Sequence, residues 1–542
     1  MSDKIKNKTR TKITDISKNP EKQLLNINID ELVPLPPPYD KPGSTPQLKQ
    51  LSDEQKQKFE CNFDGISVVA LPKPKNKEEE EELVKKFLSG LRKLFSKKDN
   101  WTFLQPLSIS MEYCGRCGVC SDECPVYLGS GKQDIYRPAY RSEVLRRIKK
   151  KYLDKGGKTL ARFTDGDIDL NWTTIARLAE SAHRCTLCRK CAQSCVRGVD
   201  NALITHELRK LFSQEMGIAV KELHDKGTVQ QLKVGASTGI NPKAFKNIVQ
   251  FMEEEIEERT GKKIKIPVDK KGADFLLIHN SGEYLSWLEN PEAFAIIFDA
   301  AGINWTLSSE IGGYEGTDYG VWYDDVQLAR VVTQQIQAAK NLGVRKIMVG
   351  ECGHAHKALI VIADRILTDE TNISRESCMP ILEDIVMSGK IQFDPMRNNF
   401  PVTMHDPCNM VRLMGIVEPQ RRIARKLCPQ FREMKDNGVH NFCCGGGSGF
   451  AIMQTMNFPS WRSAVAGRIK FKQILETFQD VISPEIPKYV CAPCSNCKGQ
   501  IRDLFAFYDA YKKCNFAYGG LVELIVNAMV DIKEPYIKWE GH

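Results

Sequence analysis

The apolar positions change rhythm near residue 235. Before it they recur at helical spacing. Leu83, Phe87, Leu91 and Phe95 stand four apart within Glu78–Lys97, one stripe on a short helix. Arg141–Tyr152, Trp172–Ala182 (Ile175, Leu178 and Ala179 on one side) and Ala202–Met216 read the same way. Further on come short continuous apolar runs, Ala273–His279, Ala293–Phe298, Arg345–Val349, Pro401–Met404 and Tyr489-Val490, which read as buried strands. Helices predicted over Asp324–Lys340 (Val326, Leu328, Val331, Val332) and Arg462–Phe478 alternate with them. Strands alternating with helices predict open α/β layers. Two such units, about 272–385 and 400–530, imply a cleft, with ligands at the loops beyond the strand C-termini. Residues 1 to about 60 are polar, and Pro34, Pro36, Pro37 and Pro38 disfavour helix and central strand there. That segment is expected either disordered or extended over a partner subunit.

The fold class expected is therefore multidomain α+α/β, helical first and tandem α/β after; the cysteine spacing and the family resemblance it carries imply a helical two-cluster ferredoxin domain followed by tandem cysteine-rich α/β domains. The segments are 1–100 (extended, proline-containing, with a short helix), 101–235 (ferredoxin-like), 236–271 (helical linker), 272–385 (a degenerate cysteine-rich domain) and 386–542 (the full one).

Composition narrows the chemistry. The 542 residues carry 77 basic and 68 acidic side chains, +9 in all, which is no concentrated nucleic-acid stripe. The densest basic stretch runs from Arg137 to Lys151, either a solvated helix face or a contact for an acidic partner or an anionic membrane. The N-terminus lacks an apolar signal core, and no run approaches a membrane span. The chain is compatible with a peripheral position held by an integral partner. Nineteen cysteines in so long a chain, grouped at metal-ligand gaps, predict thiolates on iron in a reducing compartment. No C-x-x-C-H haem motif and no G-x-G-x-x-G fingerprint is present.

Cys114, Cys117, Cys120, Cys124 and Cys185, Cys188, Cys191, Cys195 each read C-x2-C-x2-C-x3-C, the pattern for cubane [4Fe-4S] clusters in which the fourth thiolate commonly reaches the other cluster. Pro125 follows the first run, and Val196 stands where the second proline would be.

A second constellation comprises Cys408, the pair Cys443-Cys444 followed by Gly445, Gly446 and Gly447, and Cys491, Cys494 and Cys497. Adjacent cysteines make a strained disulfide but can meet different irons, and glycines let backbone amides approach metal or sulfide. Cys494 and Cys497 form a C-x-x-C, either a redox dithiol or two ligands. With Cys408 and the pair, five thiolates are available where a cubane takes four. That excess implies an unusual cluster, or a cubane beside one free reactive thiol.

This signature resembles the CCG-type cysteine-rich domain of heterodisulfide reductase catalytic subunits. Val321-Trp322-Tyr323-Asp324-Asp325, Glu351-Cys352-Gly353-His354-Ala355 and the Cys443–Gly447 stretch are similar to the DsrK (HmeD) family over about 105–530. That family is the iron–sulfur subunit of a DsrMKJOP-type (Hme) menaquinol-interacting membrane complex in sulfur metabolism. The resemblance implies two relay cubanes and a special, non-cubane [4Fe-4S] centre for disulfide chemistry on Cys408, Cys443, Cys444, Cys494 and Cys497. Cys491 is an extra cysteine, an alternative to Cys494 or Cys497. The first α/β unit keeps Cys352 without a cysteine pair, so no cluster of its own is expected there. Cys352, His354 and His356 either line the cleft or form a structural loop. His354, His405 and His440 are the proton-donor alternatives.

The implied function is a heterodisulfide-reductase-like oxidoreductase linking menaquinol/menaquinone to reduction, or reversed oxidation, of a disulfide or trisulfide. The implied substrate is the sulfur carrier DsrC, and a b-type cytochrome subunit would hold the chain at the cytoplasmic side of the membrane. The competing readings are the iron–sulfur subunit of a flavin-linked 2-hydroxy acid or glycerol-phosphate quinone oxidoreductase, and a non-catalytic electron relay.

Overall fold

The structure is a computed structural model that describes residues 11–58, 63–163, 167–317, 319–369 and 372–539. It divides into two compact units. One comprises residues 1–223, 322–324 and 442–471; the other comprises 224–321, 325–441 and 472–542.

The first unit is helical because its apolar stripes are capped where the pattern starts. Asn76 accepts the Glu79 amide at the head of helix Lys77–Leu94, and Asn171 accepts the Thr174 amide at the head of Trp172–Ala182. Asp200 accepts the amides of Ala202 and Leu203 ahead of Asn201–Met216. Each cap satisfies donors that a helix start otherwise leaves unpaired. Phe87 stacks near Phe212, with centroids 5.8 Å apart, and Ile175, Leu178 and Leu208 are wholly buried. At Gly90 an added Cβ would fall 2.8 Å from the Glu215 side chain, so the helix surfaces meet closely there.

The proline-dotted N-terminal segment is irregular, with single 3-10 turns at Ile13–Ser17 and Ile29–Glu31, and its described part lies on its own unit. Arg177, 1% exposed, donates to the carbonyls of Asp15, Ile16, Lys18, Asn19 and Lys22. Further along, Val33 donates to the Gly129 carbonyl and accepts from Arg468 Nε. A segment poor in ladder donors is thus held by side chains that reach its carbonyls. Ile16, Ile29, Leu32 and Leu35 are buried.

The second unit contains two four-stranded parallel sheets. In the first, β1 (Phe275–Ile278), β2 (Trp305–Thr306), β3 (Lys346–Val349) and β4 (Ser374–Ser377) are ordered β2-β1-β3-β4. In the second, β5 (Val402–Met404), β6 (Phe431–Arg432), β7 (Lys488–Cys491) and β8 (Phe516–Gly519) are ordered β6-β5-β7-β8. The two wirings are the same, as expected of a repeated α/β unit. One apolar core serves both, taking in Leu277 and Met348 from the first sheet and Met404, Tyr489 and Ala517 from the second.

Ala293–Phe298 is a correction to the strand reading. It lies inside helix Glu289–Ala301, closed by Gly302 at φ +66°. Every residue from Asn290 to Phe298 is buried, so no polar face reveals the helical period, and a short apolar run cannot otherwise be told from a strand.

Arg177→Ala should free the N-terminal segment and cost about 3 kcal/mol, since several charge-assisted hydrogen bonds end on one guanidinium. Thermal unfolding would show the loss, and limited proteolysis should first cut before residue 40. Unchanged protection of that segment would refute the anchoring role.

Candidate iron–sulfur centres

The two cysteine runs adopt one backbone shape. Arg116 and Gly118 in the first, and Leu187 and Arg189 in the second, stand two and four residues after the leading cysteine, and all four have positive φ. Three of them are not glycine, so ordinary side chains are held in a conformation they seldom adopt. Such turns aim amides at sulfur: Leu187 N donates to Cys185 Sγ at 3.4 Å and Val199 N to Cys195 Sγ at 3.3 Å.

The runs exchange their last members. Burial pushes the Cys124 thiol up to about 12, and its sulfur neighbours are Cys188 and Cys185. Burial likewise raises Cys191, with Cys188, Cys185 and Cys124 beside it. Burial raises Cys120, whose neighbours are Cys114 and Cys195. Cys114, Cys120 and Cys195 therefore gather at one place, together with Cys117 from the same turn, and Cys124, Cys185, Cys188 and Cys191 at another. Four thiolates from two turns, with amides directed at sulfur, fit a cubane at each. Cys117 is exposed whereas Cys188 and Cys191 are buried, so the first place is the outer one.

The Cys443-Cys444 loop belongs to this same unit and packs on the second run. Gly445 N donates to Cys443 Sγ and Gly446 N to Cys444 Sγ, both at 3.4 Å. Gly445 has φ +93°, and a Cβ there would lie 2.6 Å from the Gly467 amide nitrogen. A Cβ at Gly447 would lie 2.6 Å from the Thr186 carbonyl oxygen, inside the second run. Arg209 fastens the contact by donating to the Cys185 and Ala182 carbonyls and to Ser448 Oγ. Lys190 Nζ sits 4.2 Å from the Phe442 ring centroid. Arg209 and Lys190 escape a reading of the sequence, because a positive charge near a cysteine run has no spacing rule.

In the second unit the loops after β3, β5 and β7 carry Cys352, Cys408 and Cys494. Cys352 heads the turn Gly353–His356, Cys408 opens helix Cys408–Leu413, and Cys494 caps helix Ser495–Tyr508, which contains Cys497. A Cβ on Gly353 would lie 3.4 Å from Cys494 Sγ and 3.3 Å from Pro407 Cβ, so the three strand ends meet. Cys352 is wholly buried, hydrogen-bonded with Cys494, and accepts from Asn280 Nδ2 and Ala355 N. The loop before Cys408 is fixed by Asp406, which takes both arms of buried Arg421 at 2.8 and 2.6 Å and the Gly438 amide at 2.7 Å. Cys491 belongs to the apolar core, with Cys428 as sulfur neighbour.

The histidines differ. His356 is tied to the Cys352 carbonyl and Ser377 Oγ, and burial lowers it to about 4, so it is a neutral structural residue. His354 is buried and His440 exposed. His405 is buried with neither ring nitrogen hydrogen-bonded among the described residues. Sequence reasoning missed Glu283, Glu351 and Lys498, all wholly buried beside these strand ends. Ser495 Oγ donates to Glu283, and Lys498 Nζ lies 4.0 Å from Glu283 and 3.9 Å from Glu523. Glu351 accepts the Leu521 and Val522 amides at a helix start and Asn290 Nδ2. Their position at the ends of β1 and β3 is the signal that could have found the two glutamates.

Comparison with known proteins accords with these motifs. A family model described as "4Fe-4S dicluster domain" matches residues 110–199, and one described as "Cysteine-rich domain" (CCG) matches 402–502. Over most of its length the chain is similar to iron–sulfur subunits of heterodisulfide-reductase-like enzymes. It is similar to an Hdr-like menaquinol oxidoreductase iron-sulfur subunit 2 of Archaeoglobus fulgidus, 25% identical over 80% of this chain and 82% of the relative. One subunit of the dihydromethanophenazine:CoB--CoM heterodisulfide reductase of Methanosarcina acetivorans is 25% identical over 73% of this chain and 89% of its own length. An EtfAB:quinone oxidoreductase of Syntrophomonas wolfei is 22% identical over 73% of this chain but 55% of its own length. No solved structure matches. This chain is an iron–sulfur, electron-transferring oxidoreductase with a helical dicluster domain and C-terminal cysteine-rich α/β domains. Among the described residues, no helix is long and apolar enough to cross a membrane.

The exchange of last cysteines gives a spectroscopic expectation. Cys124→Ala and Cys188→Ala should leave the same residual electron paramagnetic resonance signal, and Cys195→Ala and Cys117→Ala should share the other. Pairing by run, Cys124 with Cys117, would refute it. A second expectation concerns pH. Burial raises the Glu351 carboxyl to about 8, above its unfolded value, despite the amides it accepts. The folded protein then holds a proton that the unfolded chain releases, so stability falls as pH rises from about 4.5 towards 8. Melting temperatures across that range should decline less in Glu351→Gln; parallel curves would refute the assignment.

Proposed function

We propose that the chain is the catalytic subunit of a membrane-associated complex exchanging electrons between menaquinol and a disulfide or trisulfide. In this reading Cys114, Cys117, Cys120 and Cys195 hold one cubane, and Cys124, Cys185, Cys188 and Cys191 the other. Cys408, Cys443, Cys444, Cys494 and Cys497 hold a third, special [4Fe-4S] centre, with Cys352 and His354 beside the reacting sulfur. The clusters supply one-electron steps, and the chain's part is to set their order and exclude water. The packing of Gly445–Gly447 on the second run carries the reading, because it joins the cysteine pair to the inner cubane site through directly touching backbone. The A. fulgidus relative supports menaquinol as the quinone, and the M. acetivorans relative supports a disulfide at the far end. The more specific assignment is DsrK (HmeD), with a b-type cytochrome subunit and a DsrC-like sulfur carrier as partners, on the cytoplasmic face of the membrane. It rests on the motif resemblance.

The similarity to EtfAB:quinone oxidoreductase supports a second reading, a flavin-linked relay to quinone. Because this chain has no G-x-G-x-x-G fingerprint, a flavin would sit on another subunit.

Anaerobic isolation from membranes tests both. The first reading expects about twelve iron atoms and as many sulfides per chain, a copurifying b-type cytochrome, and a new paramagnetic signal on adding oxidised sulfur carrier. Cys444→Ala should abolish that signal while the cubanes stay reducible. A copurifying flavoprotein and no disulfide-dependent signal would favour the second reading, and about eight irons with an unmetallated cysteine pair would sink the first.

A further inference from the structure

His405 is the first residue beyond β5. Its amide donates to the Cys491 carbonyl at 2.8 Å, closing the β5–β7 ladder. The next residue, Asp406, is pinned by Arg421, by the Gly438 amide and by Asn441 Nδ2, which donates to its carbonyl at 2.7 Å. The backbone is therefore fixed on both sides of the histidine, and the residue is 1% exposed.

Neither ring nitrogen of His405 is hydrogen-bonded among the described residues. A neutral imidazole carries one donor and one acceptor, and burying both unmet is costly. Two histidines of the same unit show the ordinary alternatives. His356 bonds through both nitrogens, to the Cys352 carbonyl and to Ser377 Oγ, which is how a structural histidine is satisfied. His279 is also unbonded, but a carboxylate faces it, Glu283 at 3.5 Å. His405 faces sulfur instead. A ring nitrogen lies within 4.8 Å of the sulfur of Cys497, in the first turn of helix Ser495–Tyr508, with no hydrogen bond between them. Metal bonds of about 2.0 Å to imidazole and about 2.3 Å to thiolate put two donors of one tetrahedral ion about 3.5 Å apart. Small side-chain rotations reach that separation. The orphaned nitrogens carry the inference, because thiolates alone would leave them unmet.

We propose that His405 is a ligand of the third iron–sulfur centre, on the same iron as Cys497. The inference rests on the reading of that centre given under the proposed function. Imidazole stands in for thiolate in those [2Fe–2S] centres where two histidines replace two cysteines and raise the potential. As a ligand it is neutral where thiolate is anionic. His405 would thus mark the less anionic side of the centre, where a substrate sulfur approaches against least repulsion.

The test is pulsed electron paramagnetic resonance on the anaerobically isolated protein, produced with histidine 15N-labelled in the ring. The signal to read is the disulfide-dependent one that Cys444→Ala abolishes. Expected is a strong ring-nitrogen coupling, of the size given by directly bound imidazole, that changes with the label. It should vanish in His405→Gln while iron and sulfide stay at about twelve each per chain. His405→Cys should keep the iron, lose the coupling and lower the midpoint potential of that centre alone. Should His405→Gln lose about four irons, their return in His405→Cys would equally mark a ligand position. No ring-nitrogen coupling on an intact disulfide-dependent signal, a coupling only of hydrogen-bond strength, or one that persists in His405→Gln would overturn the proposal and leave the third centre standing. About eight irons and no disulfide-dependent signal in the unsubstituted protein would overturn both together.

Discussion

The joint between the Cys443–Gly447 loop and the Cys185–Cys195 run depends on how closely backbone can approach backbone. A side chain at Gly447 would occupy the Thr186 carbonyl, and one at Gly445 the Gly467 amide. Removing the side chains brings peptide groups, instead of flexible atoms, into contact. It also frees amides to point at the two sulfurs. Arg209 adds direction: its guanidinium grips carbonyls on the run and the hydroxyl of Ser448, so the two pieces share one rigid donor. Burial lowers this guanidinium to about 10, a cost that the match between its fork of donors and these acceptors offsets.

The second unit solves a different problem, holding thiols at strand ends without exposing them. Its two sheets share wiring and a core, so apolar burial common to both holds them together. The first sheet therefore persists with a single cysteine at the end of β3. What it contributes is polar: Glu351 ties that loop to the helix Leu521–Ala528, and Glu283 reaches Ser495 beside Cys494. Degenerate in thiols, the first half still positions the thiol-bearing loops of the second.

Much of this is legible in the sequence, for physical reasons. Helices with one polar face, such as Trp172–Ala182, announce their period, and the C-x2-C-x2-C-x3-C runs state their chemistry through spacing. The buried helix Glu289–Ala301 has no polar face in its middle and so reads as a strand. The N-terminal segment looks free in the sequence because its anchor, Arg177, lies about 160 residues away. Cys491 looks like a candidate ligand by spacing, but strand alternation turns its sulfur into the core. The exchange of Cys124 and Cys195 is legible from the ferredoxin pattern; the association of Cys443 and Cys444 with the helical unit is not, since no local spacing encodes it.

The path of the chain has a consequence for dissection and for inheritance. It passes from one unit to the other at 223–224, 321–322, 324–325, 441–442 and 471–472. No single cut yields both halves intact: a fragment ending at 223 keeps both C-x2-C-x2-C-x3-C runs but loses the Cys443–Gly447 loop that packs on the second. Recombination at such a boundary would produce an isolated dicluster domain, and whatever the joined units do together would be lost in one step instead of eroding residue by residue.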